Sequence, residues 1–105
     1  METGCYKRQI AFQEKLTNKK LPDDLPLEFR DQICLMAEEL GEVAKTDKRW
    51  RAGQTETVQE GTKLEEIADI FIVAMNLAIF SGYDYLDVMN AVQQKITKNE
   101  GRLPK

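Results

Sequence analysis

The stretch 63-KLEEIADIFIVAMNLAIF-80 decides how this chain is read. From Ile67 to Phe80 only Asp69 and Asn76 carry side chains that seek water. On a helix drawn with Asp69 at the origin, Val73 and Phe80 fall within about 40° of it and Ile72 flanks the same side. Ile67, Phe71, Ala74 and Ala78 cover the opposite side. A helix that is apolar all round is a buried helix, so Asp69 is expected to lack a solvent side. Asn76, two turns on, shares its face. A buried carboxylate without a partner is costly or shifts its pKa until neutral. A Lys, an Arg or a bound cation has to compensate it.

Outward from this helix, over about 63–81 and ended by Gly82, the chain reads as further helices. Residues 5–17 form a first, with Tyr6, Ile10 and Leu16 as its expected buried side. NKKLPDDLP (18–26) breaks it, and Pro26 suits the first turn of a second helix over about 26–46. That helix carries Phe29, Ile33, Met36, Leu40 and Val43 at alternating steps of four and three, a helical stripe. Residues 47–62 lose the period, hold two glycines and read as a polar loop. Asp84, with Asp87 three residues on, caps a fourth helix through about Asn99, whose expected buried side is Leu86, Met89, Val92 and Ile96. No stretch alternates with period two. The fold class is all-α, a helical bundle.

Composition narrows the function. A chain of 105 residues reads as a single domain, 1–105. Domains this small bury a modest fraction of their surface, and a second subunit enlarges the core. The net charge of −3 argues against a dedicated nucleic-acid binder. Residues 67–80 are too short to span a membrane, which takes about 20 apolar residues. The N-terminus shows no apolar signal-peptide region. Cys5 and Cys34 read as free thiols of a reducing compartment. The expectation is a soluble, cytoplasmic protein. The chain has no histidine. That removes His-based acid–base catalysis, most zinc sites and the Glu-x-x-His di-iron class.

The carboxylates remain. In EELGE (38–42), Glu38, Glu39 and Glu42 fall within an arc of about 100°, largely opposite the Phe29–Val43 stripe. Alone, this is also how a solvated helix face looks. EEIAD (65–69) repeats the spacing, with Glu66 one turn before Asp69. Packed antiparallel, two such helices converge Glu39, Glu42, Glu66 and Asp69. Four acids repel unless a divalent cation sits between them, and an all-oxygen donor set favours Mg²⁺, with Mn²⁺ as the second choice. The alternative is a surface helix packed on a buried one whose Asp69 meets Lys or Arg.

The ordered pair Glu-x-x-Glu (39–42), polar loop, Glu-x-x-Asp (66–69) resembles the MazG-like all-α nucleoside triphosphate pyrophosphohydrolases, whose superfamily includes dimeric dUTPases and dCTP pyrophosphatases. The resemblance covers about residues 29–103. It implies a short helical chain that completes a four-helix bundle with a second subunit, as a homodimer or a dimer of dimers. The implied reaction is Mg²⁺-dependent hydrolysis of a (deoxy)nucleoside triphosphate to monophosphate and pyrophosphate, in nucleotide-pool house-cleaning. Glu39, Glu42, Glu66 and Asp69 match the family's magnesium ligands, and Glu38 or Glu39 is placed to orient the attacking water. Asn76 matches an Asn lining the nucleotide pocket, and Trp50 an aromatic near the base. Lys95, Asn99 and Arg102 match the basic end of the family's last helix and are expected at phosphate oxygens; the same residues also suit a solvated helix end. The chain lacks a second MazG repeat and the helical insertions of dUTPases, so strict uracil specificity is not implied. The rival readings are a helical interaction module without catalysis and a regulator that binds nucleotide without turning it over.

Overall fold

Four α-helices form among the described residues, which in this computed structural model are 3–51 and 60–104. They are α1 (Thr3–Thr17), α2 (Pro26–Thr46), α3 (Glu60–Ile79) and α4 (Tyr85–Glu100), with a short 3₁₀ turn at Lys48–Trp50. The all-α expectation is met, and no helix among these residues is long and apolar enough to cross a membrane. Part of the expected polar loop, 52–59, lies outside the described residues.

The boundaries follow local chemistry. Asn18 takes up the left-handed conformation (φ 55°) that ends α1, with its N–H on the Glu14 carbonyl. Pro26 occupies the first turn of α2, where its missing N–H costs nothing. Asp84 and Asp87 form a reciprocal capping box at the start of α4. The third helix stops at Ile79, slightly earlier than the sequence suggests, and Gly82 (φ 89°) turns the chain. Backbone bonds from Asp23 and Leu25 to the Ile79 and Phe80 carbonyls clasp the α1–α2 linker to that turn.

Packing departs from the expected pattern. The buried core is small: Tyr6, Leu21, Met75, Ile79 and Phe80, gathered where α1 and the linker meet the end of α3. α2 and α3 form the main helix pair, while α4 meets the core through Tyr85 and Val88 and is exposed over residues 90–100. On α1, Leu16 is exposed, against expectation, and Gln13 is buried. Ile33 and Leu40 of the α2 stripe are exposed, as are Leu86, Val92 and Ile96 of α4. Nor is α3 buried all round. Val73, Asn76 and Phe80 are covered, but Phe71 is 54% exposed. The helical periods were readable; nothing among the described residues covers these stripes. The radius of gyration is 16.6 Å, against about 13 Å for a compact domain of this length.

Candidate metal centre

The α2–α3 pair is antiparallel in a single register. Gln32 meets Asn76, Glu39 meets Asp69 and Asp47 meets Lys63, so later residues of α2 face earlier ones of α3. This brings carboxylate oxygens of Glu39, Glu66 and Asp69 within 4.8 Å of one another, each residue half-buried. Asp69 therefore keeps some access to solvent. Glu39 turns toward α3 rather than lying on a solvated face, while Glu38 stays exposed.

Among the described residues, none of these three carboxylates has an ion-pair partner. The alternative in which Asp69 meets Lys or Arg is not the arrangement found. Desolvation, with the charges of Asp69, Glu39, Glu42 and Glu65 behind it, raises the Glu66 carboxyl above its ordinary range. Glu42 contributes its field but points elsewhere, toward Lys45 at 3.4 Å. Three half-buried, unpaired carboxylates with converging oxygens fit a hard divalent cation such as Mg²⁺.

The other expected site residues scatter. Asn76 lies in the same α2–α3 seam, buried, donating to Gln32 Oε1 at 3.0 Å and accepting from Gln9 Nε2 at 2.9 Å. Sequence reading missed both partners, because a glutamine on an amphipathic helix gives no sign of facing inward. Trp50 is exposed, its indole N–H on the Ala44 carbonyl (3.1 Å) and the Arg51 guanidinium over its ring at 5.1 Å. Beside it, Asp47 accepts from Arg49 and Lys63, and those bonds hold its carboxyl far below the usual range. Both features lie one to two turns beyond the acid cluster on the hairpin. Lys95, Asn99 and Arg102 are exposed at the far end of α4 and are not brought to the acids of their own chain. The hollow of about 920 Å³ along α4 is lined by that helix and Tyr83 alone. It is the open face of a helix, not an enclosed site.

Compared with known protein families, with curated proteins and with solved structures, the chain finds no match.

Proposed function

We propose that this protein is a Mg²⁺-dependent nucleoside triphosphate pyrophosphohydrolase, releasing monophosphate and pyrophosphate. The observation that carries the reading is the convergence of Glu39, Glu66 and Asp69 within 4.8 Å with no basic partner among the described residues. Phosphoryl transfer requires positioning and charge neutralisation more than covalent chemistry. Glu39, Glu66 and Asp69 would hold the ion, and Glu42, now on Lys45, would be the fourth ligand. When bound, Mg²⁺ supplies positive charge at the phosphate oxygens and acidifies a water. With Glu39 committed to the cluster, Glu38 is left exposed beside it to orient that water and accept its proton.

The same reading includes a homodimer or dimer of dimers. The chain exposes 7901 Å², whereas a compact monomer of its mass exposes about 6,000 Å². The surplus is of the size that one subunit covers in an obligate dimer. The α4 end that carries Lys95, Asn99 and Arg102 is basic, so a second copy's α4 complements the acids. There these side chains would hold the departing phosphates.

Incubating the protein with each common and damaged nucleoside triphosphate and Mg²⁺, then identifying the products, tests the reading. Monophosphate plus pyrophosphate supports it, and inertness toward all of them rejects it. The uncovered α4 stripe also suits an interaction module without catalysis, which would show no Mg²⁺-dependent thermal shift.

A further inference from the structure

Two lysines of the α2–α3 hairpin stand at the same spacing from an acid and behave differently. Lys45 lies three residues after Glu42 on α2 and pairs with it at 3.4 Å, which turns Glu42 away from the three converging carboxylates. Lys63, the one basic residue of α3, lies three residues before Glu66. That spacing puts Lys63 and Glu66 on one helix surface, within reach of each other. Yet among the described residues Lys63 makes no pair with Glu66. Its Nζ donates to Asp47 Oδ2 at 2.7 Å instead.

Charge alone does not explain that choice. The carboxylates of Glu39, Glu66 and Asp69 converge a short way along the seam, whereas Asp47 offers one charge that Arg49 already shares. Asp47 wins by being fixed in place. It ends α2 and caps the Lys48–Trp50 turn, accepting the Arg49 backbone N–H at 3.2 Å. The Arg49 guanidinium forks onto it, with Nε on Oδ1 at 2.9 Å and Nη2 on Oδ2 at 2.8 Å. A forked pair sets the carboxylate plane, so little further ordering is needed when Lys63 joins. The side chains of Asp47 and Lys63 are only 18% and 27% exposed, so solvent screens this pair less than it screens Lys45 and Glu42. Without Asp47, Lys63 has Glu66 as its next carboxylate on α3, and a lysine there would neutralise the oxygens that a divalent cation needs. The Glu42–Lys45 pair shows that result one helix away.

We infer that Asp47 is a positioning residue that holds Lys63 off Glu66 and so keeps the acid cluster open to a divalent cation. This rests on the metal-centre reading, and Asp47 acts through Lys63 without touching ion or substrate. Mg²⁺ is titrated at constant ionic strength, followed by NMR, into wild type, Asp47→Asn, Lys63→Met and the double variant. Asn loses the charge and keeps an oxygen to cap the turn. Asp47→Asn should weaken Mg²⁺ binding about 2- to 5-fold, the scale of one partly exposed ion pair. Lys63→Met should change affinity little in the wild-type background and restore it in the Asp47→Asn background. That coupling is the signature of the guard. Charges acting only through space would give Lys63→Met the same effect in both backgrounds, and a merely structural tie would leave the double variant no better than Asp47→Asn. Either pattern, or unchanged affinity in folded Asp47→Asn, overturns the guard and leaves the metal centre standing. Asp47→Ser, which also caps, takes the place of Asp47→Asn in the cycle where the latter does not fold. A wild type that binds no Mg²⁺ rejects the metal centre and the guard with it. Coupled Mg²⁺ binding in a protein that hydrolyses no triphosphate supports the guard and rejects the catalytic reading.

Discussion

Asn76 donates its side-chain amide to Gln32 across the α2–α3 seam at 3.0 Å, seven residues along both helices from where Asp69 faces Glu39. The seam is thus polar in two layers, while apolar residues such as Ile33, Leu40 and Phe71 face outward. Asn76→Leu would strand the amides of Gln32 and Gln9 together. The buried Gln32 amide, once stranded, costs about 1–3 kcal/mol and the half-buried Gln9 less, so urea unfolding should show a loss of about 1 kcal/mol or more. A variant as stable as wild type would mean that water already serves these groups.

The outward apolar faces predict self-association. Sedimentation at micromolar concentration should show a dimer or larger species. Ile96→Asp, on the uncovered stripe of α4, should shift it toward monomer. A clean folded wild-type monomer would count against a shared bundle.

The acids give the apo protein a distinctive pH response. The Glu66 carboxyl is raised, chiefly by desolvation and then by Asp69 and Glu39, so the folded state binds its proton more tightly than the unfolded chain does. Stability from this group therefore falls as pH rises, starting near the unfolded value of about 4.3 and ending above the raised folded one. In EDTA the melting temperature should be higher at about pH 5 than at pH 7, and Glu66→Gln should flatten that slope. Asp47, held low by Arg49 and Lys63, loses its contribution only under more acid conditions. With Mg²⁺ present the trend should reverse, because protons and metal compete for the same oxygens.

Asp69→Asn removes one charge from the crowded cluster and should raise the apo melting temperature. Mg²⁺ stabilises only the state that binds it, by RT ln(1 + [L]/Kd). Millimolar Mg²⁺ should therefore stabilise wild type clearly and the variant much less, so that the two melting curves converge or cross. A variant that melts well below wild type in EDTA would mean that Asp69 has a cationic partner after all.

The helices, the capping box at Asp84 and the facing of Glu39, Glu66 and Asp69 were legible in the sequence, because each follows from local spacing. Burial was less so. A stripe such as Ile33–Leu40, or Leu86–Ile96, states that a surface wants covering and not what covers it. Among the described residues nothing does. Asp69 stood out because it interrupts an apolar run, whereas Gln9, Gln13 and Gln32 left no such mark. Their inward turn depends on where α1 crosses the hairpin, which is set by the Tyr6 and Leu21 anchor at the end of α3. Lys95 lies on α4 and Arg102 in the turn just past its end, and α4 carries both away from their own acids.

The most direct test is pyrophosphate release from the preferred nucleoside triphosphate with Mg²⁺, compared among wild type, Glu66→Gln and Glu42→Gln. Each substitution removes a charge that the proposed site would use to hold the ion, so each should slow release by at least about 100-fold. Stoichiometric pyrophosphate and monophosphate from wild type, abolished by EDTA, is the predicted result. Near-normal turnover in both variants, or release that persists in EDTA, would contradict the assignment of the acid cluster as the metal centre.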